Sequence, residues 1–251
     1  MIDIHSHVLY GLDDGAGTLE DSLAMIRMAA ASGTTDLVAT PHANLEYKFD
    51  PEKIRERLSE ISGEGVRVYS GCDFHLSYEN IQDAIENPAK YAINHKCYLL
   101  VEFSDLIIFR NTSEIFARLQ DAGMIPVVTH PERNGLLRQR VEEIARWVED
   151  GARVQVTAQS FLGHFGRRAR EFSEILLDRG LVHFIASDAH DCEHRPPKLD
   201  QAFQWIEKRH SQEVAERLCV TNPRAAIEGV AFTPTAPPQR SEAKKWYQLW
   251  R

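Results

Sequence analysis

Four cysteines are all the chain holds among its 251 residues: Cys72, Cys97, Cys192 and Cys219, far apart and with no C-x-x-C pair. That scarcity argues against both a disulfide framework and a zinc-thiolate site and leaves buried free thiols as the expectation. Six positions beyond them stand Tyr78, Phe103, Lys198 and Ala225. None is the arginine that a cysteine-nucleophile phosphatase needs to cradle phosphate and lower the thiol pKa, so that chemistry is excluded. Neither G-x-x-x-x-G-K-[ST] nor G-x-S-x-G occurs, which removes the footholds of nucleotide triphosphatases and serine hydrolases. No apolar run reaches the roughly eighteen residues that span a bilayer, and no direct membrane insertion is expected. Positive charge is short as well: 29 basic residues face 37 acidic ones, for a net charge of −8. Nucleic acid, whose affinity comes from clustered Lys and Arg, is thus not an expected partner, although a few local arginines and metals can still hold one phosphate. The start of the chain shows no basic stretch leading into an apolar one, so a cytoplasmic protein is expected.

What is present is a strand-and-helix alternation. With 43% apolar and 26% charged residues the composition is that of an ordinary globular protein, and one large domain is the default at this length. Apolar runs at 1–7, 36–40, 66–70, 97–101, 125–129, 154–157 and 182–186 read as strands. Between them lie helical patterns at 19–30, 51–62, 78–86, 112–122, 138–149, 167–179 and 198–209, with glycines at 33, 123, 151 and 180 placed to stop helices. Thr18 with Asp21 three positions on resembles a capping box. Such alternation implies parallel strands joined by right-handed crossovers, and a closed or nearly closed (β/α) barrel of about seven strands is the simplest architecture.

Polar groups collect at the strand exits. His5 and His7, two residues apart in an extended segment, share a face and can grip one ion. Asp13 and Asp14 follow in a glycine-rich turn that can bring carboxylates back to the same point. His42, Asp73, Glu102, His130 and the pair Asp188 and His190 each sit just past another apolar run. Parallel barrel strands all exit at one rim, where barrel enzymes keep their active sites. Imidazole and carboxylate without thiolate suit Zn, Mn or Fe, and nine candidate groups are too many for one ion. Ions about 3.5–4 Å apart clamp the attacking and leaving oxygens of an in-line phosphoryl displacement, so phosphoester hydrolysis is the leading chemistry. Arg133 and Arg195, just beyond ligand positions, can chelate phosphate oxygens.

The blocks MIDIHSH, LDDG, TPH, GCD, VEF, THPER and IASDAHDCEHRPP resemble the PHP (polymerase and histidinol phosphatase) superfamily over roughly 1–230. Within it they are similar to the CpsB/CapC-type metal-dependent tyrosine-protein phosphatases of bacterial capsule and exopolysaccharide systems. The resemblance implies a distorted (β/α)7 TIM-like barrel, here over 1–231, and a cluster of two or three divalent ions, with manganese ahead of iron or zinc. It places His5, His7, Asp73 and Asp188 on one ion, Asp73, Glu102 and His130 on a second, and Asp14, His42 and His190 on a third. Arg133 and Arg195 would grip the phosphate. The implied substrate is phosphotyrosine on a bacterial tyrosine kinase of polysaccharide synthesis. One departure stands out: Asp73 occupies a position where the family usually has Glu, so either the backbone comes closer or one ion is held more weakly. His75 and Cys72 beside it are read as bystanders.

Two competing readings stay open. One is the same fold acting on a small metabolite such as histidinol phosphate; the other is a non-catalytic barrel that binds a kinase. A homo-oligomer is compatible with either. Beyond Phe232 a Pro/Thr linker and a basic-aromatic tail to Arg251 break the composition, with docking of Trp246 and Trp250 as the sharper expectation and a frayed end as the plainer one.

Overall fold

In the computed structural model, which describes residues 1–61, 65–234 and 237–238, the apolar runs form one continuous parallel wall. Trp246 and Trp250 lie outside the described residues. The strands are β1 (Ile2–Ser6), β2 (Asp36–Ala39), β3 (His42–Ala43), β4 (Arg67–Ser70), β5 (Asp73–His75), β6 (Tyr98–Glu102), β7 (Ile125–Thr129), β8 (Arg153–Thr157) and β9 (Phe184–Ala186). They hydrogen-bond in the orders β1-β2-β4 and β3-β5-β6-β7-β8-β9, all parallel.

Nine segments fill seven barrel positions because two strands are interrupted. Pro41, which has no N–H to give a ladder, separates β2 from β3. Gly71 and Cys72 separate β4 from β5, and bonds from Gly71 N to Ala39 O (2.8 Å) and Asp73 N to Pro41 O (3.2 Å) carry the pairing across both breaks. The first halves belong to the three-stranded sheet and the second halves to the six-stranded one. The remaining seam closes where β1 leaves the wall: His7 N donates to Ala189 O (2.7 Å), Asp188 N to His5 O (2.9 Å), and Ser187 N to the Asp3 carboxylate (3.0 Å).

Helices cover the outside: α1 (Leu19–Ala31), α2 (Pro51–Glu60), α3 (Tyr78–Glu86), α4 (Pro88–Tyr91), α5 (Thr112–Asp121), α6 (Val141–Glu149), α7 (Ala158–Leu162), α8 (Arg167–Asp178), α9 (Asp200–Arg209), α10 (Gln212–Glu216) and α11 (Asn222–Glu228). α1 starts at the capping box the sequence suggested: Asp21 N donates to Thr18 Oγ1, and Thr18 N donates back to the Asp21 carboxylate. α2 begins with Pro51 behind Asp50, whose side chain caps Glu52 N and Lys53 N. None of the described helices is long and apolar enough to cross a membrane.

The largest core cluster lies between the six-stranded sheet and its helices, around Phe74, Val101, Phe116, Trp147 and Leu176. Burying such a side chain contributes about 1.5–3 kcal/mol, so this layer dominates the stability of the wall. At the strand beginnings Tyr98, Phe184 and Phe232 pack ring against ring at 5.7–6.1 Å, and the Arg153 guanidinium lies over Phe232. Apolar packing plugs that end, which leaves the strand exits as the mouth.

Candidate metal centre

All nine predicted ligand residues and both arginines meet at the mouth. β1 delivers His5 and His7 with their Nε2 atoms 3.4 Å apart, and Asp188 Oδ1 stands 3.3 Å from each. Both imidazoles are fully buried. Their free nitrogens are set by what the other nitrogen touches. His7 Nδ1 lies 2.7 Å from Asp13 Oδ2, and His5 Nδ1 lies 3.1 Å from Gln155 Oε1, so each Nδ1–H donates outward and each Nε2 faces the mouth. Asp13 therefore orients a candidate ligand, and it also accepts from His42 N (3.1 Å) and Gly15 N (3.0 Å).

The turn that carries Asp13 and Asp14 depends on a close approach. A Cβ built on Gly15 would fall 2.1 Å from His7 O, so only glycine lets this loop lie against β1. Asp14 thereby reaches His42 Nε2 and His190 Nε2, each at 3.4 Å, while the rings of His42 and His190 stand 4.4 and 4.0 Å from that of His7. On the other side, Asp73 Oδ2 is 3.5 Å from His5 Nε2 and 3.2 Å from His42 Nδ1. Short as it is, the aspartate reaches two imidazoles from the first position of β5, just past the break at Gly71 and Cys72. Glu102 lies 3.4 Å from His42, 3.7 Å from His130 and 2.5 Å from His75. His75 thus touches a candidate ligand from outside, whereas Cys72 is packed in the apolar core.

Four groups of donor atoms lie close enough to hold an ion: His7, Asp14, His42 and His190; His5, His7 and Asp188; His5, Asp73 and His130; His42, Asp73 and Glu102. Their composition differs in part from the one the resemblance implied. His42 faces Asp73 and Glu102 as well as Asp14, and His5 faces Asp73 and His130. Two of the residues carry unusual backbone: His130 at φ 31° and Asp188 at φ 51°, left-handed conformations that non-glycine residues rarely hold.

The electrostatics suit a cation here. Asp73 is completely buried, and neither of its carboxylate oxygens has a hydrogen-bond partner. A buried acceptor pair without a donor is costly, and an ion among acceptor atoms supplies the missing partner. Burial works against the charged forms of Asp73 and Asp188, yet His5 and His42 hold the first, and Arg133, His5 and Arg195 the second, well below the usual carboxylate range. Glu102 is pushed upward by burial and by the Asp73 charge. Burial would lower His7 and His42, but Asp13 lifts His7 to about 9, and Asp14 and Asp73 lift His42 to about 11. Burial and the neighbouring Arg133 charge keep His130 neutral, with its lone pair available. The residues fit divalent ions: nitrogen and oxygen donors, no thiolate, and fixed imidazole orientations.

Arg133 and Arg195 both donate to Asp188 Oδ2, Arg195 at 2.5 Å. The two guanidinium groups flank one carboxylate at the edge of the cluster. Sequence reasoning missed Gln155, which looked like part of an apolar strand; its signal was a polar side chain inside Val154-Gln155-Val156, fully buried once folded. It also missed Glu132, buried behind Arg133, whose carboxylate accepts from Thr157 N (2.9 Å) and the Ser160 hydroxyl (2.7 Å).

The family described as "Capsular polysaccharide synthesis, CpsB/CapC" matches residues 1–228. The chain belongs to the CpsB/CapC family. CapC of Staphylococcus aureus is 34% identical to it over 99% of this chain and 100% of that one. The tyrosine-protein phosphatase YwqE of Bacillus subtilis is also 34% identical, over 85% and 87% of the two chains. Among solved structures, one from the work on YwqE and on CpsB from Streptococcus pneumoniae, metal-dependent tyrosine phosphatases, aligns with a TM-score of 0.87 at 33% identity. That alignment covers 96% of this chain and 100% of the other. A phosphotriesterase homology protein from Escherichia coli aligns with a TM-score of 0.57 at 13% identity, over 90% and 98% of the chains, a likeness of fold alone. This CpsB/CapC member therefore keeps the barrel of its family.

Proposed function

We propose that this chain is a metal-dependent protein-tyrosine phosphatase, and that the nine residues at the mouth hold its ions while Arg133 and Arg195 take the phosphate. The observation that carries the reading is Asp188, which shares one oxygen with both N-terminal imidazoles and the other with both arginines. A phosphate-binding edge and an ion-binding floor thus meet at a single carboxylate. Two or three divalent ions are proposed, manganese first, with iron or zinc as the alternatives. When bound they supply Lewis-acid polarisation of phosphoryl oxygens and acidification of water.

The chain itself does the rest. Arg133 and Arg195 present planar N–H donors that chelate phosphate oxygens and balance the charge that builds on them during transfer. Gln155 and Asp13 keep His5 and His7 in the tautomer that leaves Nε2 free. A phenolate, with a pKa near 10, departs more readily than an alkoxide, so no strong general acid is needed. Leu45, Leu106 and Ile107 are 99, 90 and 56% exposed on the turns that follow β3 and β6. Apolar side chains displayed on the rim suit the residues flanking a phosphotyrosine in a protein better than they suit a small metabolite. A bacterial tyrosine kinase of polysaccharide synthesis is the proposed substrate, in the cytoplasm.

The test compares phosphate release from a phosphotyrosyl peptide and from histidinol phosphate, with manganese present and after chelation, alongside elemental analysis. Peptide turnover that disappears on chelation is expected. A strong preference for histidinol phosphate, or full turnover without divalent ions, refutes the proposal.

A further inference from the structure

Phe165, in the turn between α7 and α8, holds its ring centre 4.6 Å from the guanidinium carbon of Arg133. The turn is Gly163-His164-Phe165-Gly166, with Gly163 at φ 88° and Gly166 at φ 85°, conformations that a side chain with a Cβ rarely accepts. Its backbone is tied at three points: Gly163 N to Ser160 O (3.1 Å), His164 N to Gln159 O (3.1 Å) and Gly166 N to Gly163 O (3.0 Å). The ring is therefore carried on a fixed frame rather than on a loose loop.

That frame is fastened to the arginine's own neighbour. Glu132, one residue before Arg133 and fully buried, accepts from Thr157 N at the end of β8 and from the Ser160 hydroxyl within α7. The connection closes on itself: from Arg133 through the Glu132 carboxylate to α7, along the turn to Phe165, and back through the ring to the guanidinium. Arg138 fixes the backbone side of the circuit, donating to Glu132 O (3.0 Å) and Arg133 O (2.9 Å).

We infer that Phe165 is a positioning residue for Arg133, holding the guanidinium in place for phosphate before substrate arrives. The inference rests on the assignment of Arg133 to phosphate made above. An arginine side chain loses substantial rotamer freedom when it binds, and a ring covering one face restricts it in advance. The ring takes up none of the arginine's N–H donors, so those that do not donate to Asp188 are left for a phosphate. A leucine of similar bulk would fill the space without attracting the charge. A tyrosine would keep the attraction.

The experiment uses manganese-loaded protein and the variants F165A, F165L, F165Y, R133A and F165A/R133A. Each is read by KM and kcat on an aryl phosphate monoester, by the inhibition constant of inorganic phosphate, and by metal content. F165A is expected to raise both KM and the phosphate inhibition constant about five-fold with metal content unchanged. F165Y should restore both values, F165L should not, and F165A should add nothing once Arg133 is gone. Rescue by F165L as full as by F165Y, or additive effects of F165A and R133A, overturns the inference. If R133A alone leaves phosphate inhibition unchanged, the assignment of Arg133 falls first and takes the inference with it. Phe165 is partly exposed, and F165L and F165Y keep its bulk, so the comparison does not depend on F165A folding.

Discussion

Single residues at the mouth divide into the proposed ion ligands and those that aim them, and only the first kind announced itself along the chain. His5, His7, His42, Asp73, Glu102, His130, Asp188 and His190 follow apolar runs, so their position at strand exits could be read locally. Gln155 could not, because its importance comes from His5, 150 residues away. Replacing it removes the acceptor that fixes the His5 tautomer. Gln155→Leu is expected to weaken manganese binding about 10- to 100-fold with the fold intact, measured by metal titration of the chelated protein and by circular dichroism. Unchanged affinity would mean that the imidazole is oriented by its neighbours in the cluster instead. Asp73 is a local matter too. The aspartate lies 3.5 Å from His5 and 3.2 Å from His42, so its short side chain still reaches both imidazoles.

Elements matter through their ends and their contacts. The turn after β1 works only because Gly15 has no side chain; Gly15→Ala would drive its Cβ into the His7 carbonyl. Displacing the turn moves Asp13 and Asp14 together, so this variant is expected to lose one ion by elemental analysis, to lower turnover at least ten-fold, and to cost about 1–3 kcal/mol in urea unfolding. At the opposite end of the barrel, Val154 N of β8 donates to Nδ1 of His183, the residue just before β9 (3.1 Å). Burial, then the Arg153 charge, lowers His183 to about 3. The unfolded chain takes up this proton near pH 6.5, whereas the folded chain refuses it until far lower pH. Between those values the unfolded state binds more protons, so stability is lost as pH falls below 6.5, by about 2 kcal/mol from this group at pH 5. His183→Gln should be less stable at pH 7.5 yet lose less between pH 7.5 and 5, read from urea midpoints. An equal loss in both proteins would assign the pH response to other groups.

At the scale of the whole molecule, closing the barrel forces like charges together. Asp14, Asp73, Glu102 and Asp188 converge with five imidazoles, and without ions the compensation must come from protons. His7 is lifted to about 9 and His42 to about 11, so the ion-free protein carries protons there at neutral pH. Metal binding must expel them, and affinity should rise with pH. Manganese added to chelated protein is expected to release protons, seen by calorimetry in two buffers of different ionisation enthalpy, and to raise the melting temperature. Uptake with no proton release would contradict the charge state derived from these contacts.

The order of strands and helices, the parallel wall and the kinds of donor at its rim were set by local features: apolar runs, helix caps, glycine stops and the residues just past each strand. Those follow from neighbours a few positions apart and can be read from the chain. Which imidazole faces which carboxylate could not be read that way. It depends on the breaks at Pro41 and Gly71, the closure of β1 against β9, and the register that places Gln155 under His5 and Phe165 over Arg133. These contacts join residues that are distant in sequence, and only the curvature of the closed barrel brings them together.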